Sequence, residues 1–149
     1  MRYRTWLVAP ALAALSAGAL ACGGSSTGPA PAELVGAWTA TKVEYVSVAV
    51  PTQNVDLVAQ GSTVTLEILD NHTYVFTVAT PSLPDDVSTG TWSASSDIFT
   101  VTVTGMSGEQ QFQMSLVGST LTLSGADVDY DVNDDGTDEP AKLSMVLTK

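Results

Sequence analysis

From about residue 34 to the end of the chain, apolar side chains recur at every second position, in short runs separated by turn-forming residues. Val64, Leu66 and Ile68 share one face of such a run, and Tyr74, Phe76 and Val78 share one face of the next. Phe99, Val101 and Val103 repeat the pattern. So do Phe112, Met114 and Leu116, opposite Gln111, Gln113 and Ser115, and so do Ala141, Leu143, Met145 and Leu147. A period of two is that of a strand with one face buried and one face wet. No segment after residue 33 sustains a helical period, and the abundance of Thr, Ser and Val suits a pleated backbone.

The runs fall at 38–48, 63–69, 73–80, 88–94, 98–104, 110–117 and 120–124. Another holds Val128, Tyr130 and Val132, and the last runs through 141–147. The first is long, and its alternation changes phase near Lys42, so a bend is expected there. The stretch 51–61 reads as a connection with a short helical turn around Val55, Asp56, Leu57 and Val58. Turn signals stand at 70–72, 81–86, 95–97, 105–108, 118–119 and 133–136. Eight or nine strands joined by such short turns must be antiparallel. One polar face per strand points to an all-β barrel or sandwich and away from a parallel sheet covered on both sides.

The amino terminus is of another kind. Arg2 and Arg4 precede an apolar stretch at 6–20, and no further charge occurs before Glu33. The stretch is shorter than the roughly 20 residues that span a bilayer, and it fits the leader of a secreted protein. Residues 18–22, Gly-Ala-Leu-Ala-Cys, resemble the cleavage and lipidation site of bacterial lipoproteins. Ala21 is the small residue required before the cysteine, while Ala19 departs from the commoner large aliphatic residue. The resemblance implies a signal peptide at 1–21 and a lipidated Cys22. It also implies anchoring in the bacterial cell envelope; Gly23, where an Asp would favour inner-membrane retention, points to the outer membrane. Cleavage near Ala21 without lipidation, giving a secreted protein, is the alternative. Residues 22–32 then form the lipid site and a linker of Gly, Ser, Thr, Pro and Ala, whose ten residues after the cysteine span about 17 Å as a flexible coil. Residues 33–149 form one domain.

The chain carries a formal charge of −11, and loss of Arg2 and Arg4 with a leader leaves Lys42, Lys142 and Lys149 against 16 acidic residues. Such a balance disfavours nucleic acid and anionic lipid surfaces, and it favours solubility and cations. Cys22 is the one cysteine, so the domain has no internal disulfide and depends on its core.

Gly36-Ala37-Trp38 opens the first run and Gly90-Thr91-Trp92 a later one. Glycine allows a close backbone approach, and tryptophan offers a large packing surface with one donor. The first triplet is similar to the Gly-x-Trp of lipocalins. The wider chain resembles small bacterial lipocalin-like domains carried on secreted lipoproteins, through Leu34-Val35-Gly36-Ala37-Trp38 and Thr-rich strands such as Ser62-Thr63-Val64-Thr65-Leu66 and Thr73-Tyr74-Val75-Phe76. Residues 117–124 share that style. Two other lipocalin motifs, a Thr-Asp-Tyr on a later strand and an Arg near the end, find no clear match. The resemblance covers about 33–149 and implies an antiparallel up-and-down β-barrel of about eight strands, with no catalytic residues. Trp38 and Trp92 are expected in the core. Tyr74, Phe76, Phe99, Phe112 and Met114 are the apolar-face residues that would either fill the barrel or line a site for a small hydrophobic ligand.

Seven carboxylates crowd into residues 127–139. Asp131, Asn133, Asp135 and Gly136 have the spacing of a calcium loop, with the Thr137 carbonyl and Glu139 as further ligands. Lys142 stands where an EF-hand needs its bidentate glutamate, so an EF-hand is excluded. Two readings remain: a plain Asp-Gly hairpin with a solvated acidic tip, or a looser calcium site.

His72 is the one histidine and falls in a predicted turn. No serine or threonine sits in a nucleophile motif, and Asp85-Asp86 lies in a proline-containing loop, so the chain is read as a non-enzyme that requires no cofactor. Two functions are in view: a ligand-binding barrel tethered to the membrane, or a filled barrel whose outer surface meets another envelope protein.

Overall fold

The computed structural model describes residues 28–149, so the leader, Cys22 and the start of the linker lie outside the described residues. A single helical turn, α1 (Pro31–Leu34), leads into nine strands: β1 (Gly36–Ser47), β2 (Asn54–Asp56), β3 (Thr63–Ile68), β4 (Thr73–Ala79), β5 (Asp86–Ser95), β6 (Ile98–Val103), β7 (Gln110–Val117), β8 (Thr120–Tyr130) and β9 (Glu139–Thr148). Each strand from β3 to β9 pairs antiparallel with the next, β3 also pairs with β1, and β9 returns to β1. The result is a closed up-and-down barrel of eight staves. The short β2 pairs with the second half of β1 on the edge whose first half holds β3.

The alternation predicts the burial. In β3 the pattern is strictly exposed then buried, with Val64, Leu66 and Ile68 inside. The phase change expected near Lys42 is a β-bulge between Ala40 and Lys42 in the β1–β9 pairing, and it keeps both Ala40 and Val43 inside. An extra residue of this kind bends the strand and sharpens its twist, as closure of a barrel requires.

Three local expectations change. The helical turn expected around 55–58 is displaced: Asn54–Asp56 is strand β2, and one turn follows it, closed by the Gln60 N–H on the Asp56 carbonyl at 3.1 Å. One Asp56 carboxylate oxygen accepts the backbone N–H of Val58 at 3.0 Å and of Val43 and Ala59 at 3.3 Å, which holds Asp56 against β1. The runs at 120–124 and 128–132 form one strand, β8, through a second bulge at Gly125, whose φ of 85° suits glycine. Finally, Pro31 and Ala32 belong to α1, with the Glu33 carboxylate closing the turn on the Ala30 N–H at 2.7 Å.

One end of the barrel is plugged. Trp38 is 1% exposed, and its indole N–H donates to the Leu34 carbonyl at 2.7 Å. The Lys149 ammonium sits 4.4 Å from the centre of the Trp38 ring and donates to the carbonyls of Val35 and Glu33 at 2.7 and 3.0 Å. With no arginine near the end of the chain, the terminal lysine is the cation that covers this ring. Gly36, at φ 135°, makes room for it: a Cβ there would lie 3.0 Å from Lys149 Cε. Trp92 packs at the same end, stacked on Phe99 at 5.8 Å, with its indole N–H donating to the Leu69 carbonyl at 2.9 Å.

Candidate ligand cavity

At the other end the chain connects its strands through the longer loops 48–53, 57–62, 80–85, 104–109 and 131–138. Between them a cavity of about 480 Å³ runs down into the barrel. Its floor and walls are apolar: Leu66, Phe76, Phe99, Phe112, Leu143 and Met145. These come from β3, β4, β6, β7 and β9, each on the inward phase of its strand. The volume falls within the roughly 300–1,000 Å³ of small-molecule sites.

The mouth is different in chemistry. Tyr45 and Tyr130, from β1 and β8, stack face to face at 3.9 Å with their planes 15° apart. Thr80, Asp86, Ser88 and Gln110 add polar groups, and Leu83 and Met106 form an aliphatic lip, respectively 65% and 67% exposed. Burial pushes the Tyr45 hydroxyl up to about 12, helped by Tyr130 and by the Asp86 carboxylate. Burial also raises Tyr74, against the opposing effect of the Ser88 hydroxyl, and it raises Tyr130 together with Asp131, Asp134 and Asp138. All three phenols therefore stay neutral at ordinary pH, able to donate as well as accept hydrogen bonds.

Of the five apolar-face residues singled out in the sequence, Tyr74, Phe76, Phe99 and Phe112 line this cavity. Met114 does not. It sits nearer the plugged end, opposite Leu123 in the β7–β8 register, and borders a separate pocket of about 470 Å³ with Pro29 and Glu33. Trp38 and Trp92 also stay out of the cavity and pack the core. Gly90 serves close packing: a Cβ there would fall 2.0 Å from the Thr102 carbonyl oxygen and 3.0 Å from Tyr74 Cε1, so glycine lets β6 and the Tyr74 ring close over β5. Sequence reasoning missed the mouth residues Tyr45, Asp86 and Tyr130. The signal for Tyr45 was hidden by the bulge in β1, which resets which side chains face inward.

The acidic hairpin lies beside the mouth. Its side chains bond to its own backbone: the two Asp131 carboxylate oxygens accept the N–H groups of Asp135 at 3.0 Å and Gly136 at 2.7 Å. Asn133 also accepts from Asp135, and Asp135 accepts from Thr137, both at 2.9 Å. Asp134, at φ 59°, and Gly136, at φ 86°, make the reversal. Among the described residues no three acidic, histidine or cysteine side chains gather closely enough to hold a metal ion. Glu139 instead begins β9 opposite Tyr130.

A barrel plugged at one end, open at the other and hollow between is an architecture with room for a small ligand. The family model for a lipocalin-like domain matches residues 34–123, from the carbonyl that receives the Trp38 indole to the middle of β8, and the chain belongs to that family. No curated protein matches the chain. Strand β9, beyond the matched span, closes the barrel against β1.

Proposed function

We propose that the protein is a lipid-anchored member of the bacterial cell envelope, held at the outer membrane through Cys22, whose barrel takes a small apolar or amphipathic molecule. The observation that carries the ligand half of this reading is the aromatic-lined cavity of about 480 Å³. A barrel acting only through its outer surface has no use for such a hollow, since unfilled apolar volume costs stability. The anchoring half rests on the Cys22 sequence context and the small-residue linker behind it. The barrel binds and carries; no catalytic step is assigned to it.

Solvent extraction of protein purified from its native membrane, followed by mass spectrometry, tests the ligand half. A stoichiometric apolar compound absent from a Phe112→Trp variant supports it, and extracts identical to those of an unrelated lipoprotein argue against it. For the anchor, Cys22→Ser is expected to move the protein from the membrane fraction to the soluble fraction with its circular dichroism unchanged. Retention in the membrane fraction would refute lipidation.

A further inference from the structure

We infer that the cavity selects a cationic amphiphile, an apolar body carrying an ammonium-type head, and that Asp86 is the residue that reads the head. This rests on the ligand-binding proposal above and names the class of molecule. Two carboxylates border the cavity, Asp86 and Asp129, and Asp129 lies on the phase of β8 opposite to that of Val128 and Tyr130. Along β5 one phase runs through Asp86, Ser88, Gly90 and Trp92, from exposed Asp86 at the mouth to buried Gly90 and Trp92 below, so the Asp86 carboxylate borders the opening of the cavity. It stands opposite Val78 in the β4–β5 register, and its field reaches Tyr45 across the opening.

No cation faces the cavity from the described residues. Lys42 is paired with Glu44 at 2.8 Å and Lys142 with Asp127 at 2.6 Å, both on the outside. Lys149 is committed to the plugged end, and His72 lies in the turn beneath Trp92. A fatty-acid carboxylate seated in this cavity would meet Asp86 and the acidic hairpin with nothing to neutralise it. An ammonium group in the same place gains the Asp86 carboxylate at short range, beside the stacked rings of Tyr45 and Tyr130. Thr80, Ser88 and the two tyrosine hydroxyls, all on the cavity wall, supply hydrogen bonds of either sense. Below the head, Phe76, Phe99 and Phe112 receive the apolar body.

The test is displacement of the neutral fluorophore N-phenyl-1-naphthylamine from the full chain by three probes with the same decyl tail: decyltrimethylammonium, decanol and decanoate. The ammonium is expected to bind about tenfold more tightly than the alcohol and the carboxylate more weakly than either, with the gap narrowing in high salt because the mouth is open to water. Asp86→Asn is expected to bring the ammonium down close to the alcohol, with a circular dichroism spectrum and urea midpoint like the wild type's showing that the variant folds. Equal affinity for ammonium and carboxylate in the wild type overturns the charge selection. So does an ammonium preference that survives in Asp86→Asn. If neither the fluorophore nor any decyl probe binds, the ligand-binding proposal itself fails, and the inference fails with it.

Discussion

Replacing Lys149 by methionine isolates the plug at the closed end. The substitution keeps most of the aliphatic stem over Gly36 and Trp38, and it removes the ammonium. Lost with it are two charge-assisted hydrogen bonds, to the carbonyls of Val35 and Glu33, and the cation above the Trp38 ring. Hydrogen bonds to charged groups contribute about 1.5–3 kcal/mol each when sheltered, and an exposed cation–π contact about 0.5–1 kcal/mol. The lysine head is exposed, and water takes over part of its role once it is gone, so the net cost comes to about 1–2 kcal/mol. For a domain of this size that lowers Tm by roughly 4–10 °C. Urea denaturation followed by tryptophan fluorescence reads it directly, as a lower midpoint at unchanged slope. Lys149→Arg, whose guanidinium reaches both carbonyls, is expected to stay close to the wild type. If Lys149→Met unfolds at the same urea concentration as the wild type, the lysine is a bystander and the plug is built by Trp38 alone.

Other expectations follow from single contacts. Gly90→Ala drives a methyl group into the Thr102 carbonyl, and it is expected to cost at least the about 1–3 kcal/mol of an overpacked core position, seen in thermal denaturation. The neutral Tyr45 phenol gives an alkaline limit. An unfolded chain loses that proton near 10 while the folded one holds it to about 12, so above pH 10 the unfolded state binds fewer protons and stability falls across that window. Its share of the fall between pH 9 and pH 11.5 is about 2 kcal/mol, so Tyr45→Phe should lose that much less stability than the wild type between urea midpoints at the two pH values, with Tyr74 and Tyr130 supplying what fall remains. Asp131→Ala leaves the Gly136 amide without its acceptor and the Asp135 amide with Asn133 alone, and it is expected to cost about 1 kcal/mol and to speed hydrogen exchange at Gly136 while the amides of β3 keep their protection.

The barrel was legible because its physics is local. Thr63 to Ile68 alternates without error, and Gln110 to Val117 keeps the same alternation, because a stave of a closed barrel has one wet face and one dry face. What resisted reading depends on partners far along the chain. The helical pattern around Val55 gave way to a strand because Asp56 finds the Val43 amide on β1. Two short runs became β8 because a bulge at Gly125 resets the phase of the strand while β9 runs on unbroken opposite it. The cation on Trp38 comes from the last residue of the chain, and spacing gives no hint of it. The site was half visible for the same reason. Phe76, Phe99 and Phe112 announce an apolar interior by their period, but depth within the barrel separates them from Met114, and depth is set by the stagger of the strands. Asp86 reads in the sequence as part of a proline-containing loop, yet it is the first residue of β5 and borders the opening of the cavity.

The most direct measurement is a heteronuclear NMR titration of the protein with N-phenyl-1-naphthylamine, following backbone amides. Occupation of the cavity is expected to move Tyr74, Phe76, Phe112 and Tyr130 together along one saturable curve, with Trp38 and Lys149 at the plugged end unmoved. Shifts confined to the outer face around Val117, or no saturable shift at all, would contradict the conclusion that this barrel is hollow in order to hold a ligand.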